Sequence, residues 1–184
     1  MLKTALIILA EGFEEVEAIA PVDLLRRAGV RMTIAGLADL HVKSSRNIGV
    51  QADIVLRDLV ELPDALILPG GIPGATNLAK SEEVAELVKK MNDAGKIIAA
   101  ICAAPAVVLA PLGILDEKKA TCYPGCEVDF SKKTVYSKAR VVTDGNIITS
   151  QGPGTALEFA LVIAERLVGE EMTELVRGKM LIPN

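Results

Sequence analysis

The sequence predicts an α/β fold, with a mostly parallel central sheet and helices on both of its faces. The first observation is the pattern of its apolar runs. Ala65–Leu68 and Ile97–Ile101 are short, continuous and without alternation, as expected of strands buried on both faces. The second is that such runs alternate with segments of helical periodicity, which implies right-handed crossovers between parallel strands. The third is composition. Apolar residues make up 51% of the chain and aromatics 3%, with no Trp, so Val, Ile, Leu and Ala must fill the core. A length of 184 residues fits one domain spanning 1–184.

Strands are expected at Thr4–Leu9, Arg31–Ala35, Ala65–Leu68, Lys96–Ile101 and Asn146–Thr149. Helices are expected at Glu15–Ala28, Ser81–Ala94, Pro105–Leu112 and Thr155–Val168. Gly29 follows Arg26-Arg27-Ala28 as a stop signal, with cations at the negative end of the helix dipole. A hairpin turn is read at Asp144-Gly145 and a small ribbon in Leu40–Gln51. Thr155 with Glu158 three residues later reads as a capping box, which gives Glu158 a structural job.

Several function classes are set aside. The net charge is −4, with no basic run interleaved with aromatics, so no nucleic-acid partner is expected. No run approaches the ~18 apolar residues of a membrane span. The first apolar run lacks the length and cleavage site of a secretory signal, and three Cys make an odd number, so a reducing cytoplasm is expected. His41 is the sole histidine and is read as a surface residue, so no metal site is expected. Cys122 and Cys126 are spaced too loosely for zinc by themselves; a redox pair is a second reading.

Three stretches carry chemistry. In "IIAAICAAP", Cys102 falls between a strand's carboxyl end and a helix start, where α/β folds bind ligands. The free amides and helix dipole there are expected to lower a thiol pKa, and the flanking Ala100 and Ala104 permit a sharp nucleophile elbow. An inert packed thiol is the other reading. On a helical wheel, Glu17 shares its face with Ala20, Pro21, Leu24 and Ala28, whereas Asp23, Arg26 and Arg27 lie opposite. A carboxyl on that apolar face has a raised pKa. Glu14 and Glu15 are explained as first-turn acids. Pro21 cannot donate to the Glu17 carbonyl, so the turn is distorted or the helix begins near Pro21. Third, Gly70-Gly71 comes just after an apolar run. Its amides, with that of Ala103, can form an oxyanion hole, or the pair is a plain turn.

Four segments, EGFEEVEAIAPVDLLRRAG, LPGGIPGATNL, AAICAAPAVVLA and SQGPGTALEFAL, resemble in order the signatures of the ThiJ/PfpI superfamily, in its DJ-one (parkinsonism-associated deglycase) branch. The resemblance implies a flavodoxin-like three-layer sandwich, akin to class I glutamine amidotransferases, and a homodimer. It implies Cys102 as the elbow nucleophile, Glu17 as its carboxylic acid partner, and Gly70, Gly71 and Ala103 as backbone donors. Arg46 matches an arginine near the site, and Tyr123 replaces a histidine of the branch. Protease-like members carry His after the elbow Cys. Ala103 stands there in this chain, which disfavours a peptidase or amidase.

The expected function is a cofactor-free glyoxalase or deglycase acting on small α-oxoaldehydes such as methylglyoxal, or on their early adducts. The non-enzymatic rival is an oxidative-stress sensor or redox chaperone that works through oxidation of Cys102.

Overall fold

Apolar strands with nothing to offer water have to be covered on both faces, and the computed structural model, which describes residues 2–183, shows how. In chain order the strands are β1 (Thr4–Leu9), β2 (Arg31–Gly36), β3 (His41–Lys43), β4 (Gly49–Gln51), β5 (Ile54–Val55) and β6 (Ala65–Leu68). They continue with β7 (Ile97–Ile101), β8 (Lys119–Ala120), β9 (Val135–Tyr136), β10 (Val141–Asp144) and β11 (Ile147–Ser150). The α-helices are α1 (Glu15–Arg27), α2 (Gly74–Ala79), α3 (Glu82–Asp93), α4 (Ala156–Val168) and α5 (Glu170–Lys179).

Seven strands form the central sheet in the order β10-β11-β7-β6-β1-β2-β5, parallel throughout except for the β10–β11 hairpin. The pleat sends alternate side chains to opposite cores. Ala5, Ile7 and Leu9 of β1 pack with Leu24 and Leu25 of α1 and Phe159 and Ile163 of α4. Leu6 and Ile8 pack with Val84, Val88 and Met91 of α3 and with Val108 and Leu109. The result is the helix–sheet–helix sandwich of a flavodoxin-like fold. Among the described residues, no helix is long and apolar enough to cross a membrane.

The sheet also sets out the candidate site. In the parallel register Leu68 of β6 lies beside Ala100 of β7. Two residues further on, the same spacing places Gly70 beside Cys102. The chain runs from β1 to strands on one side and later returns to β6 on the other. The carboxyl ends of β1 and β6 therefore flank the switch point at which such sheets bind ligands.

Local expectations hold at the Asp144-Gly145 hairpin and at the ribbon, which is β3 paired antiparallel with β4. Others are corrected. The helix α1 is continuous through Pro21, because one missing donor leaves its remaining ladder intact and Pro21 is buried. Pro105–Leu112 is not an α-helix but a π turn at Pro105–Leu109 running into a 3-10 turn at Ala110–Leu112. Pro111 has no N–H to continue an α ladder there. No capping box forms at Thr155: its hydroxyl bonds Gly152 instead, and Glu158 pairs with Arg140 at 2.7 Å.

Glu15 is likewise more than a first-turn acid. It is buried and accepts hydrogen bonds from Ser44 Oγ at 2.6 Å, the Arg46 amide at 2.7 Å and Ser45 Oγ at 3.3 Å. Burial works against its charge, but these bonds and its own amide prevail and hold the carboxyl below its usual range. The bonds tie the ribbon to the first turn of α1. Glu15→Ala is expected to cost about 2–3 kcal/mol in urea unfolding and to raise amide exchange selectively between residues 41 and 51. An unchanged exchange pattern would mean that the ribbon is held by other contacts.

Candidate active site

At the end of β7 the chain turns sharply. Cys102 has φ 65, a left-handed conformation that a non-glycine residue adopts at a cost of about 1–3 kcal/mol. The surroundings hold it there. The Cys102 amide donates to the Ser150 carbonyl at 2.9 Å, and its carbonyl accepts the Tyr123 amide at 2.8 Å. The elbow is therefore clamped by the end of β11 and by the segment after β8.

Gly70 lies against the elbow, as the register requires. A Cβ at residue 70 would lie 2.6 Å from Cys102 Cβ, 2.7 Å from Glu17 Oε2 and 3.0 Å from Cys102 Sγ. The missing side chain is what lets thiol and carboxyl meet. Gly71 needs glycine twice over: its φ is 91, and a Cβ would fall 2.5 Å from both the Gly12 carbonyl oxygen and the Glu14 amide nitrogen.

Glu17 is 0% exposed, on the sheet-facing side of α1. Glu14 caps the helix, its carboxyl accepting the Glu17 amide at 2.8 Å. The Gly70 amide donates to Glu17 Oε2 at 2.8 Å, whereas Oε1 finds no hydrogen-bond partner. Burial pushes the Glu17 pKa up to about 7; the Cys102 thiol and the Gly70 amide pull against this, and the Glu14 charge adds to it.

For Cys102 the lowered pKa expected of a helix start is corrected. Burial, then the charge of Glu17 and the hydrogen bond to it, pushes the thiol up to about 12, while the amides of Ala103 and Gly71 pull it down. The segment after Cys102 is a short π turn, so little helix dipole is on offer. The two acids behave as one unit holding one proton. When Glu17 keeps that proton, the repulsion vanishes and two backbone amides remain to hold a thiolate.

The three expected backbone donors therefore divide. Gly71 and Ala103 serve the sulphur, and Gly70 is committed to Glu17. Arg46 follows the end of β3, in the ribbon turn held by Glu15. Its amide binds Glu15, and its exposed guanidinium makes no hydrogen bond among the described residues. Tyr123 is at the site, half-exposed, with its ring beside Gly152. Gly152 itself was not singled out by sequence reasoning, although Gly152-Pro153-Gly154 just past a strand was the available signal. Cys122 is buried and Cys126 half-buried, and both are free. Burial first, then Glu127, Asp129 and, for Cys122, its neighbour Cys126, raise both thiols, Cys122 to about 12. His41 is exposed on β3.

The sequence and the fold have known counterparts. The chain matches the DJ-1/PfpI family over residues 3–166. It belongs to that family. The Parkinson disease protein 7 homolog of Danio rerio is 43% identical over 185 residues, covering 98% of this chain and 97% of its own. The Caenorhabditis elegans protein named glutathione-independent glyoxalase DJR-1.2 is 39% identical over 173 residues, covering 93% of this chain and 92% of its own. Among solved structures, oxidized Toxoplasma gondii DJ-1 superposes with a TM-score of 0.95 at 36% identity, covering 99% of this chain and all of that one. In this chain the Cys–Glu pair lies at the carboxyl ends of β6 and β7, two inner strands of the flavodoxin-like sandwich.

The raised Glu17 pKa has a thermodynamic signature. A carboxyl raised from 4.5 to about 7 on folding leaves stability full below 4.5 and progressively lost as the pH rises through 7. The loss is about 3 kcal/mol by the usual conversion. Glu17→Gln cannot ionise, so the stability difference between variant and parent should shift in the variant's favour by that amount from pH 4.5 to 8. Urea titrations across this range read it out; parallel curves would mean that Glu17 is not the titrating group.

Proposed function

We propose that the chain is a cysteine-dependent, cofactor-free enzyme that converts small α-oxoaldehydes such as methylglyoxal, or their early adducts, to hydroxyacids. The observation that carries this is a buried carboxyl with pKa about 7 beside a conformationally strained cysteine flanked by two amides. The glyoxalase name of the C. elegans relative is consistent with it.

Glu17 holds the pair's proton while Cys102 sulphur, as thiolate, attacks the aldehyde carbon. The carbonyl oxygen becomes an oxyanion held by the Gly71 and Ala103 amides and takes up a proton, giving a hemithioacetal. Glu17, now ionised, removes the hydrogen on the former aldehyde carbon and returns it to the neighbouring carbon, while the hemithioacetal hydroxyl gives its proton to the neighbouring ketone oxygen, which becomes the hydroxyl of the product. The product is a thioester of the hydroxyacid. Water cleaves it, releasing hydroxyacid and free thiol. The sum is oxoaldehyde plus water to hydroxyacid, with no net redox change, so the balance calls for no external oxidant or reductant.

Lactate formation from methylglyoxal tests this. Cys102→Ala and Glu17→Gln should each lower turnover by at least about a thousandfold, the scale of losing a nucleophile or an acid–base group. Full activity in either variant overturns the mechanism. The partly exposed Cys102 also supports the sensing reading. Addition of two oxygens at Cys102 by mild peroxide, with no oxoaldehyde turnover, would favour it.

We further propose a homodimer in the cytoplasm. Three free thiols support the setting. Val16 and Ile19 support the pairing: they lie 50% and 42% exposed on α1, where water is a poor neighbour for them. Light scattering should give twice the chain mass, and Val16→Lys with Ile19→Lys should halve it. An unchanged mass in the double variant would move the interface elsewhere.

A further inference from the structure

Glu14 and Glu17 have the spacing of a capping box at the start of α1, and half of one forms. The Glu14 carboxyl accepts the Glu17 amide at 2.8 Å. In a complete box the Glu17 carboxyl would return to the Glu14 amide. That amide is already taken, for it donates to the Gly70 carbonyl at 3.1 Å. The Gly70 amide in turn donates to Glu17 Oε2 at 2.8 Å. Three hydrogen bonds thus close a ring through Glu14, Glu17 and Gly70. The exchange releases the Glu17 carboxyl from its own helix and directs it to Cys102.

The residue type at the cap adds something more. Ser, Thr or Asn would cap this helix without a charge. Glu14 is half-buried and brings a charge within one helical turn of Glu17. That charge acts on the Glu17 carboxyl, whereas the charge acting on the Cys102 thiol is that of Glu17 itself. Glu14 therefore bears unequally on the two acids. It favours the arrangement with the proton on the carboxyl and the negative charge on the sulphur.

The elements packed on Glu17 bring it the Cys102 thiol at the end of β7 and the Gly70 amide after β6. After β11 comes the Gly152 backbone, with the Tyr123 ring beside it. Glu15 turns its carboxyl to Ser44, Ser45 and the Arg46 amide. Glu14 brings its charge to the pair from outside it.

We propose that Glu14 is a positioning residue for the Cys102–Glu17 pair: its amide and carboxyl hold Glu17 in place, and its charge keeps the shared proton on Glu17 and off the sulphur. The proposal rests on that pair as the reacting site and is independent of which substrate the sulphur attacks.

The test separates the charge from the cap. Glu14→Gln keeps the length and an oxygen that accepts the Glu17 amide, but loses the charge. Glu14→Asp keeps both charge and cap. With carbon-13 at the glutamate carboxyls, the Glu17 signal is the one missing from Glu17→Gln. Its titration midpoint should fall by about half to one pH unit in Glu14→Gln and stay near the parent's in Glu14→Asp. Alkylation by iodoacetamide, read at Cys102 by peptide mass between about pH 5 and 8, should slow about three- to tenfold in Glu14→Gln, the same shift expressed as thiolate fraction. An unmoved midpoint in Glu14→Gln overturns the proposal. An equal fall in Glu14→Asp also overturns it, and makes Glu14 a helix cap alone. Neither readout needs turnover. A pair that titrates as stated but makes no lactate upholds the proposal and overturns the oxoaldehyde reading. Lactate formation with an unmoved midpoint overturns the proposal alone.

Discussion

Glu17 and Cys102 meet across a residue that has no side chain. A single methyl at residue 70 would stand within 3.0 Å of both the carboxyl oxygen and the sulphur. That contact brings two acids into a water-poor place where they hold one proton between them, since ionising both would set two charges side by side. Glu17 is raised to about 7 and can release or retain its proton near neutral pH. The sulphur can carry a charge without facing a second one only when the carboxyl holds the proton. The chemistry of the site is therefore a property of the pair.

The rest of the fold serves that contact. Parallel register sets Gly70 beside Cys102, so the close approach is inherited from the strands and needs no special loop. Packing of α1 on the sheet and on α4 turns Glu17 inward, and Glu14 and Glu15 stabilise the start of that helix from two sides. Glu14 accepts the amide of Glu17 itself. Glu15 fastens the β3–β4 ribbon to the same turn. Clamping of the Cys102 backbone by Ser150 and Tyr123 holds the left-handed elbow against its own strain. Cys122 and Cys126 are raised as well, by burial first and then by nearby carboxylates; Cys102 is raised too, but the Ala103 and Gly71 amides beside it pull the other way.

The features legible beforehand obeyed short-range rules. The continuous apolar runs marked the inner strands, because a strand buried on both faces has no polar residue to alternate. The odd carboxyl on the apolar stripe of α1 marked Glu17, because helical periodicity is local. Asp144-Gly145 marked a hairpin for the same reason. Expectations that depended on distant partners fared differently. Thr155 and Glu158 had the spacing of a capping box, yet Gly152 and Arg140 offered better partners from elsewhere in the chain. The segment Pro105–Leu112 had a helical pattern, but its prolines remove the donors that an α ladder needs.

The sequence by itself determined the layered α/β architecture and the identity of the two acids, since both are written in periodicities spanning a few residues. Only the tertiary structure decided how they interact. It assigned the Gly70 amide to the carboxyl and the Gly71 and Ala103 amides to the sulphur, and it reversed the expected direction of the thiol pKa. It also set the Tyr123 ring beside Gly152, and left Arg46 exposed. Burial, electrostatic coupling and close contact act through space between residues far apart in the chain, and spacing along the chain does not encode them.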